Sequence, residues 1–148
     1  MNNRTLIAIS FVAFFLLAWG GGFSWIGSQT HFLPGSSGPG LIKNINATEF
    51  KEIRAAHKEN IIVLDVRTDR EREGGIIEGS LGIDIYESDF QSRLEELPRD
   101  QPVLIYCATG RRSLTAMRTM NSMGFEEVYN LEGGIRSWRA SGGEVVKE

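Results

Sequence analysis

The sequence has little sulfur, little histidine and, over its first quarter, almost no charge. One cysteine in 148 residues excludes any internal disulfide. The two histidines, His31 and His57, have no second Cys, His or carboxylate at metal-ligand spacing, so no metal site is expected. The 16 Lys and Arg are outnumbered by 19 Asp and Glu, giving a net charge of −3. That balance argues against a phosphate-tracking nucleic-acid binder, since such proteins carry clustered Lys and Arg. With 41% hydrophobic and 24% charged residues, the chain is neither disordered nor fibrous, and its length is that of one domain.

Charge is missing most conspicuously from residues 5 to 42, which contain no Asp, Glu, Lys or Arg. Within this stretch Leu6 to Trp19 is apolar throughout except for Ser10, and a weaker apolar character continues to Gly27. Residues 1–27 therefore read either as a signal peptide, with Arg4 as its basic start, or as an uncleaved membrane anchor, the expected N-terminal apolar helix. Arg4 is the only basic residue near the segment, which predicts export of the rest of the chain. Residues 28–40, rich in Gly, Ser and Pro, form the expected linker, and residues 41–148 the folded domain.

Within the domain, Asn46 with Glu49 three positions later opens a predicted helix over 46–59. Ile61 to Val66 is an apolar, β-branched run without alternation, as in a strand covered on both faces. The polar residues 68–75 are expected to break it. A second strand is predicted over Gly82–Tyr86, then a helix opened by Ser88 and carrying Phe90, Leu94 and Leu97. Val103–Tyr106 and Glu126–Tyr129 read as further strands, and Ser113–Met123 and Ile135–Ser141 as helices. Alternating strands and helices predict a mainly parallel sheet with helices on both faces.

The chemistry concentrates in Cys107-Ala108-Thr109-Gly110-Arg111-Arg112-Ser113, between a predicted buried strand and a predicted helix. A loop wrapping there turns backbone N–H groups inward and ends on a helix N-terminus, a cradle for an anion. At its base the Cys107 thiolate would be favoured by those N–H groups and by Arg111 and Arg112, making it a nucleophile near neutral pH.

This loop resembles the active-site loop of rhodanese-type sulfurtransferases, whose pattern is Cys-x-x-Gly-x-Arg-Ser/Thr. The likeness extends upstream through Asp65-Val66-Arg67, Glu71 and Gly75-x-Ile77-x-Gly79-Ser80, and downstream through Leu131-x-Gly133-Gly134-x-x-x-Trp138 and Gly142. Arg72, Ile76 and Glu144 stand where the family has an aromatic residue, a histidine and a proline. The resemblance implies the family's α/β domain and a cycle in which Cys107 takes sulfur from a small anionic donor such as thiosulfate. It would hold that sulfur as a persulfide and pass it to cyanide or a thiol. It also implies that Ala108, Thr109, Gly110, Arg111 and Arg112 bind the donor. Asp65, Arg67 and Ser113 are expected to support the loop, Asp65 and Arg67 as a structural ion pair beneath it rather than as direct catalysts. No cofactor is implied, and no general base is needed by a thiolate already poised to attack. Gly133, Gly134 and Trp138 are expected to serve a turn and the core.

Two rivals stand beside this reading. A Cys-x5-Arg phosphatase or a Cys-based arsenate reductase uses a similar cradle one residue longer, but Ser113 occupies the position of its arginine. An exported or tethered persulfide carrier would share the cysteine and differ in turnover. In an oxidising compartment a lone catalytic cysteine has no resolving partner, so an external thiol reductant is expected.

Overall fold

A computed structural model describes residues 40–58 and 60–147. The expected N-terminal signal or anchor, 1–27, and nearly all of the linker lie outside the described residues. Among those described, no helix is long and apolar enough to cross a membrane.

Ten elements alternate along the chain: β1 (Leu41–Ile45), α1 (Ala47–His57), β2 (Ile62–Asp65), α2 (Asp69–Arg72), β3 (Leu81–Gly82), α3 (Phe90–Glu95), β4 (Val103–Tyr106), α4 (Arg111–Ser122), β5 (Glu127–Leu131) and α5 (Gly134–Ala140). The strands form one parallel sheet in the order β1-β5-β4-β2-β3. The central strand β4 is buried at all four positions, which explains its unbroken apolar sequence. Successive side chains feed opposite faces. Val103 and Ile105 join α3 and α4 through Phe90, Leu94, Ala116, Met117 and Met120. Leu104 and Tyr106 join α1 and α5 through Phe50, Ile135 and Trp138. The Phe50 and Trp138 rings meet edge to face, 5.4 Å between centroids, and lock α1 to α5.

The architecture is therefore the α/β one expected, with three differences in detail. Leu41–Ile45, treated only as the start of the domain, is an edge strand paired with β5. Four of its five residues are exposed, so it carries no apolar signature. The predicted strand over 82–86 shrinks to Leu81–Gly82. Ile83 and Ile85 instead turn into the core beside β2, their amides bonded to the carbonyls of Asp65 and Val66. The polar stretch after β2 is not merely a break: it holds α2, four residues closed by a capping box between Thr68 and Glu71.

The three departures from the family pattern are structural. Arg72 is buried with its guanidinium in the space left by Gly82, where a Cβ would collide with it. Ile76 exchanges both backbone hydrogen bonds with Val146. Glu144 is exposed and uses only its carbonyl, which accepts from Trp138 Nε1 at 2.8 Å.

Candidate active site

Cys107 follows directly on β4 and is fully buried. Its Sγ lies 3.1 Å from the Gly110 N–H, which donates to it across the turn of the loop. Burial pushes the Cys107 thiol up, but the Ser113 hydroxyl and the N–H groups of Ser113, Thr109 and Gly110 outweigh it and set the thiol below its ordinary 9.0. Ser113 Oγ is buried with no partner of ordinary hydrogen-bond geometry, which leaves its proton available to the sulfur.

The loop keeps its N–H groups inward because its carbonyls are tied elsewhere. Ile135 N donates to the Cys107 carbonyl at 2.8 Å and Arg136 N to that of Ala108 at 3.3 Å. The first turn of α5 is thus a backbone clamp on the Cys107–Ser113 loop. This contact needs glycine. Gly134 has a φ of +59°, and a Cβ on it would strike the Cys107 carbonyl and the Ala108–Thr109 peptide. Gly110, with a φ of +86°, approaches the Gly133 amide and the Leu131 carbonyl equally closely, a Cβ there lying 3.0 Å from each. Asn130 Nδ2, on β5, donates to the Gly110 carbonyl at 3.3 Å and to Asn44 Oδ1 at 2.8 Å. Gly133 and Gly134, expected to serve a turn, thus also form the clamp, and Asn130 is a further loop contact outside the expected site residues. The clamp's sequence signal is the Gly-Gly pair before a short helix, and Asn130 carries none.

The arginines divide into three roles. Arg67 is buried against Asp65, with Nε 2.9 Å from Oδ1 and Nη2 2.6 Å from Oδ2. It also donates to the carbonyls of Glu71 and Gly75, fastening the loop after β2. Beneath it the Tyr106 hydroxyl, pushed up to about 12 by burial and then by nearby Asp65, accepts from Ile77 N and pairs with Ser80. Arg112 grips Glu71 through two parallel bonds of 2.8 and 2.6 Å. It stands 5.7 Å from the Tyr86 ring centre. The Arg112 bonds, with some loss to burial and support from Thr68, hold the Glu71 carboxyl well below its ordinary value, at about 2. The same pair raises Arg112. Arg111 is exposed on the rim.

Two clefts flank the loop. One, about 350 Å³, is lined by Arg67, Glu71, Ala108, Ile135, Arg136 and Arg139. The other, about 400 Å³, is lined by Tyr86, Thr109, Arg111, Arg112 and Thr115. Glu71 faces the first and its partner Arg112 the second, so their ion pair stands between them.

A buried thiol with a lowered pKa, inside a ring of inward N–H groups, is equipped to attack an electrophilic atom attached to an anionic group. Comparison with known proteins agrees with this chemistry. The family model for the rhodanese-like domain matches residues 46–141. A sulfurtransferase of Allochromatium vinosum is 34% identical over 106 residues, covering 72% of this chain and 96% of that protein. The thiosulfate sulfurtransferase GlpE of Pseudoalteromonas translucida is 31% identical, over 61% of this chain and 84% of its own length. Among solved structures, a rhodanese-related protein from Thermoplasma volcanium superposes with a TM-score of 0.62 at 35% identity, covering 72% of this chain and 99% of that one. The chain belongs to the rhodanese-like domain family.

Proposed function

Taking that membership as the premise, we propose that the protein is a sulfurtransferase carrying sulfane sulfur from thiosulfate to a thiol or cyanide on Cys107. The thiolate attacks the outer sulfur of thiosulfate. A new S–S bond forms on Sγ, the bond to the sulfonate sulfur breaks, and sulfite leaves with its electron pair. The persulfide anion is then attacked at its terminal sulfur by a thiolate or cyanide, and Cys107 leaves as the thiolate it began as. Charge and atoms balance in both steps, and no proton must move, which fits a site without a histidine.

The observation that carries this reading is the Cys107 environment: a sulfur held by the Gly110 N–H and flanked by the amides of Thr109 and Ser113. Those donors favour a thiolate, and after transfer they suit a persulfide anion equally well. Arg112 contributes positive charge near the sulfur while its own position is fixed by Glu71.

The test is the intact mass of the full chain before and after thiosulfate, for wild type and Cys107→Ser. The expected result is one added sulfur atom on wild type, absent from the variant and removed by cyanide. A folded wild-type protein without the adduct would remove thiosulfate as donor, and hydrolysis of a phosphoester in its place would favour the phosphatase rival.

The uncharged N-terminal stretch behind Arg4 supports a second, separable proposal: the domain works outside the cytosol, tethered or released, with an external thiol renewing Cys107. Digestion of the domain by protease added to cells with a permeabilised outer layer and an intact inner membrane is the expected outcome. Protection under those conditions would refute export, and full activity after prolonged oxidant without thiol would refute the reductant.

A further inference from the structure

The cleft on the α5 side of the catalytic loop holds more positive charge than its neighbours neutralise. Of its charged groups, Arg67 is matched by buried Asp65 and Glu71 by Arg112. Arg136 and Arg139 have no carboxylate partner among the described residues. Both are exposed, three residues apart on α5 and hence on adjoining positions of one helix face. Arg139 Nη2 donates to the Gly74 carbonyl at 2.7 Å, a neutral acceptor that leaves its charge in place. The Arg136 guanidinium meets no acceptor among the described residues. Two uncompensated cations therefore border the loop in a chain whose net charge is −3.

Their position ties them to the chemistry. The Arg136 amide donates to the Ala108 carbonyl, and Ala108, next in the chain after Cys107, lines the same cleft. The size of the cleft, about 350 Å³, falls within the small-molecule range of ~300–1,000 Å³. A donor of five heavy atoms bound in the loop leaves most of it empty. Once sulfur is loaded, the terminal atom of the persulfide stands ~2 Å beyond Sγ. An acceptor is thus required to reach that outer atom rather than the buried sulfur.

Resting on the sulfurtransferase reading, we propose that this cleft is the acceptor subsite and that Arg136 and Arg139 select a low-molecular-mass thiol bearing two carboxylates. The thiolate of such an acceptor attacks the terminal sulfur, forming its own persulfide and releasing Cys107 as thiolate. The carboxylates lie on the two guanidinium groups and bring the thiolate to the loop from the Ala108 side. Among the described residues the opposite cleft offers one cation without a carboxylate partner, Arg111, since its other arginine is bound to Glu71.

The test uses the full chain loaded with thiosulfate and freed of excess donor. Discharge of the persulfide is followed by intact mass against mercaptosuccinate, with two carboxylates, and 2-mercaptoethanol, with none. Intrinsic differences between the thiols cancel when each is compared between wild type and variant. Arg136→Gln/Arg139→Gln is expected to lower the mercaptosuccinate rate constant about tenfold at low salt and the 2-mercaptoethanol constant less than about twofold. Arg136→Glu, at an exposed side chain with no hydrogen bond or ion pair to lose among the described residues, is expected to lower it at least as much. The wild-type preference should shrink towards the variant's as salt shortens the reach of charge from ~30 Å at 0.01 M to ~3 Å at 1 M. Arg118→Gln, exposed on α4, should move neither rate. An unchanged ratio in both Arg136 variants, or its loss in Arg111→Gln instead, overturns the subsite and leaves the sulfurtransferase reading intact. Absence of any persulfide on wild type overturns both.

Discussion

Two arginine–carboxylate pairs of the same chemistry stand close together, one just before α2 and one anchored on it, and their surroundings give them opposite work. In the Asp65–Arg67 pair the side chains are 0% and 3% exposed, two residues apart, and bonded to the backbone of the segment they hold. In the Glu71–Arg112 pair they are 36% and 21% exposed, and the partners lie on α2 and α4. The first pair fixes the path of the chain after β2. The second spans the mouth of the site and places a cation near the sulfur without letting it collapse onto it. Geometry alone does not separate them, since both are two-pronged with shortest contacts of 2.6 Å. Burial does: removing one partner strands a charge in the first case and merely exposes it to water in the second.

The largest effect expected from this contrast is in Asp65→Asn, which leaves the Arg67 guanidinium buried without its counter-charge. Urea unfolding should show a loss of about 3–5 kcal/mol. The paired replacement Asp65→Leu/Arg67→Met should cost less than the single change, because it removes both charges from the interior. A double variant as unstable as Asp65→Asn would mean that the hydrogen bonds from Arg67 to the Glu71 and Gly75 carbonyls, rather than its charge balance, hold this loop.

Next in size is Glu71→Gln. It should cost at most about 1 kcal/mol in the same assay, since the pair is half open to solvent. Its larger consequence is chemical. The rate of persulfide formation from thiosulfate should rise with pH about a midpoint below 9.0 in wild type, following the lowered Cys107 thiol. Losing the Glu71 charge favours the thiolate further, so the midpoint in the variant should move down, by less than about one unit at this exposure. A midpoint that stays in place would show that Arg112 is screened from the sulfur and that the pair is structural like its neighbour.

The contrast between these pairs also marks how far the sequence alone reached. The loop from Cys107 to Ser113 was legible because its chemistry is contiguous, and β4 and α4 were legible because burial writes itself as apolar runs and helical spacing. Helix α2 was not, because Asp69–Arg72 has no apolar face, although Thr68 and Glu71 carry the same capping signature that revealed α1 at Asn46 and Glu49. Strand β1 was not, because an edge strand with four exposed residues needs no hydrophobic pattern. The Glu71–Arg112 bond joins residues 41 apart, and the clamp of α5 on the loop is made by backbone, so neither leaves a mark in local composition. What stayed hidden was either without an apolar pattern, as in α2 and β1, or long-range or main-chain in origin.

The smallest effect expected is also the sharpest test of how exposed the second pair is. Glu71 has its pKa lowered from the ordinary 4.5 to about 2, with Arg112 as the chief cause. A depressed acid stabilises the fold fully above its unfolded pKa, and that contribution disappears as pH falls through the folded value. The stability difference between wild type and Glu71→Gln should therefore be constant above about pH 5 and narrow towards zero near pH 2. Screening by solvent keeps the whole span within about 1 kcal/mol. A gap that stays open down to pH 2 would assign the loss to the Thr68 cap, which an amide satisfies less well, rather than to Arg112. In that event the Glu71–Arg112 pair would contribute to the field at Cys107 and next to nothing to the fold.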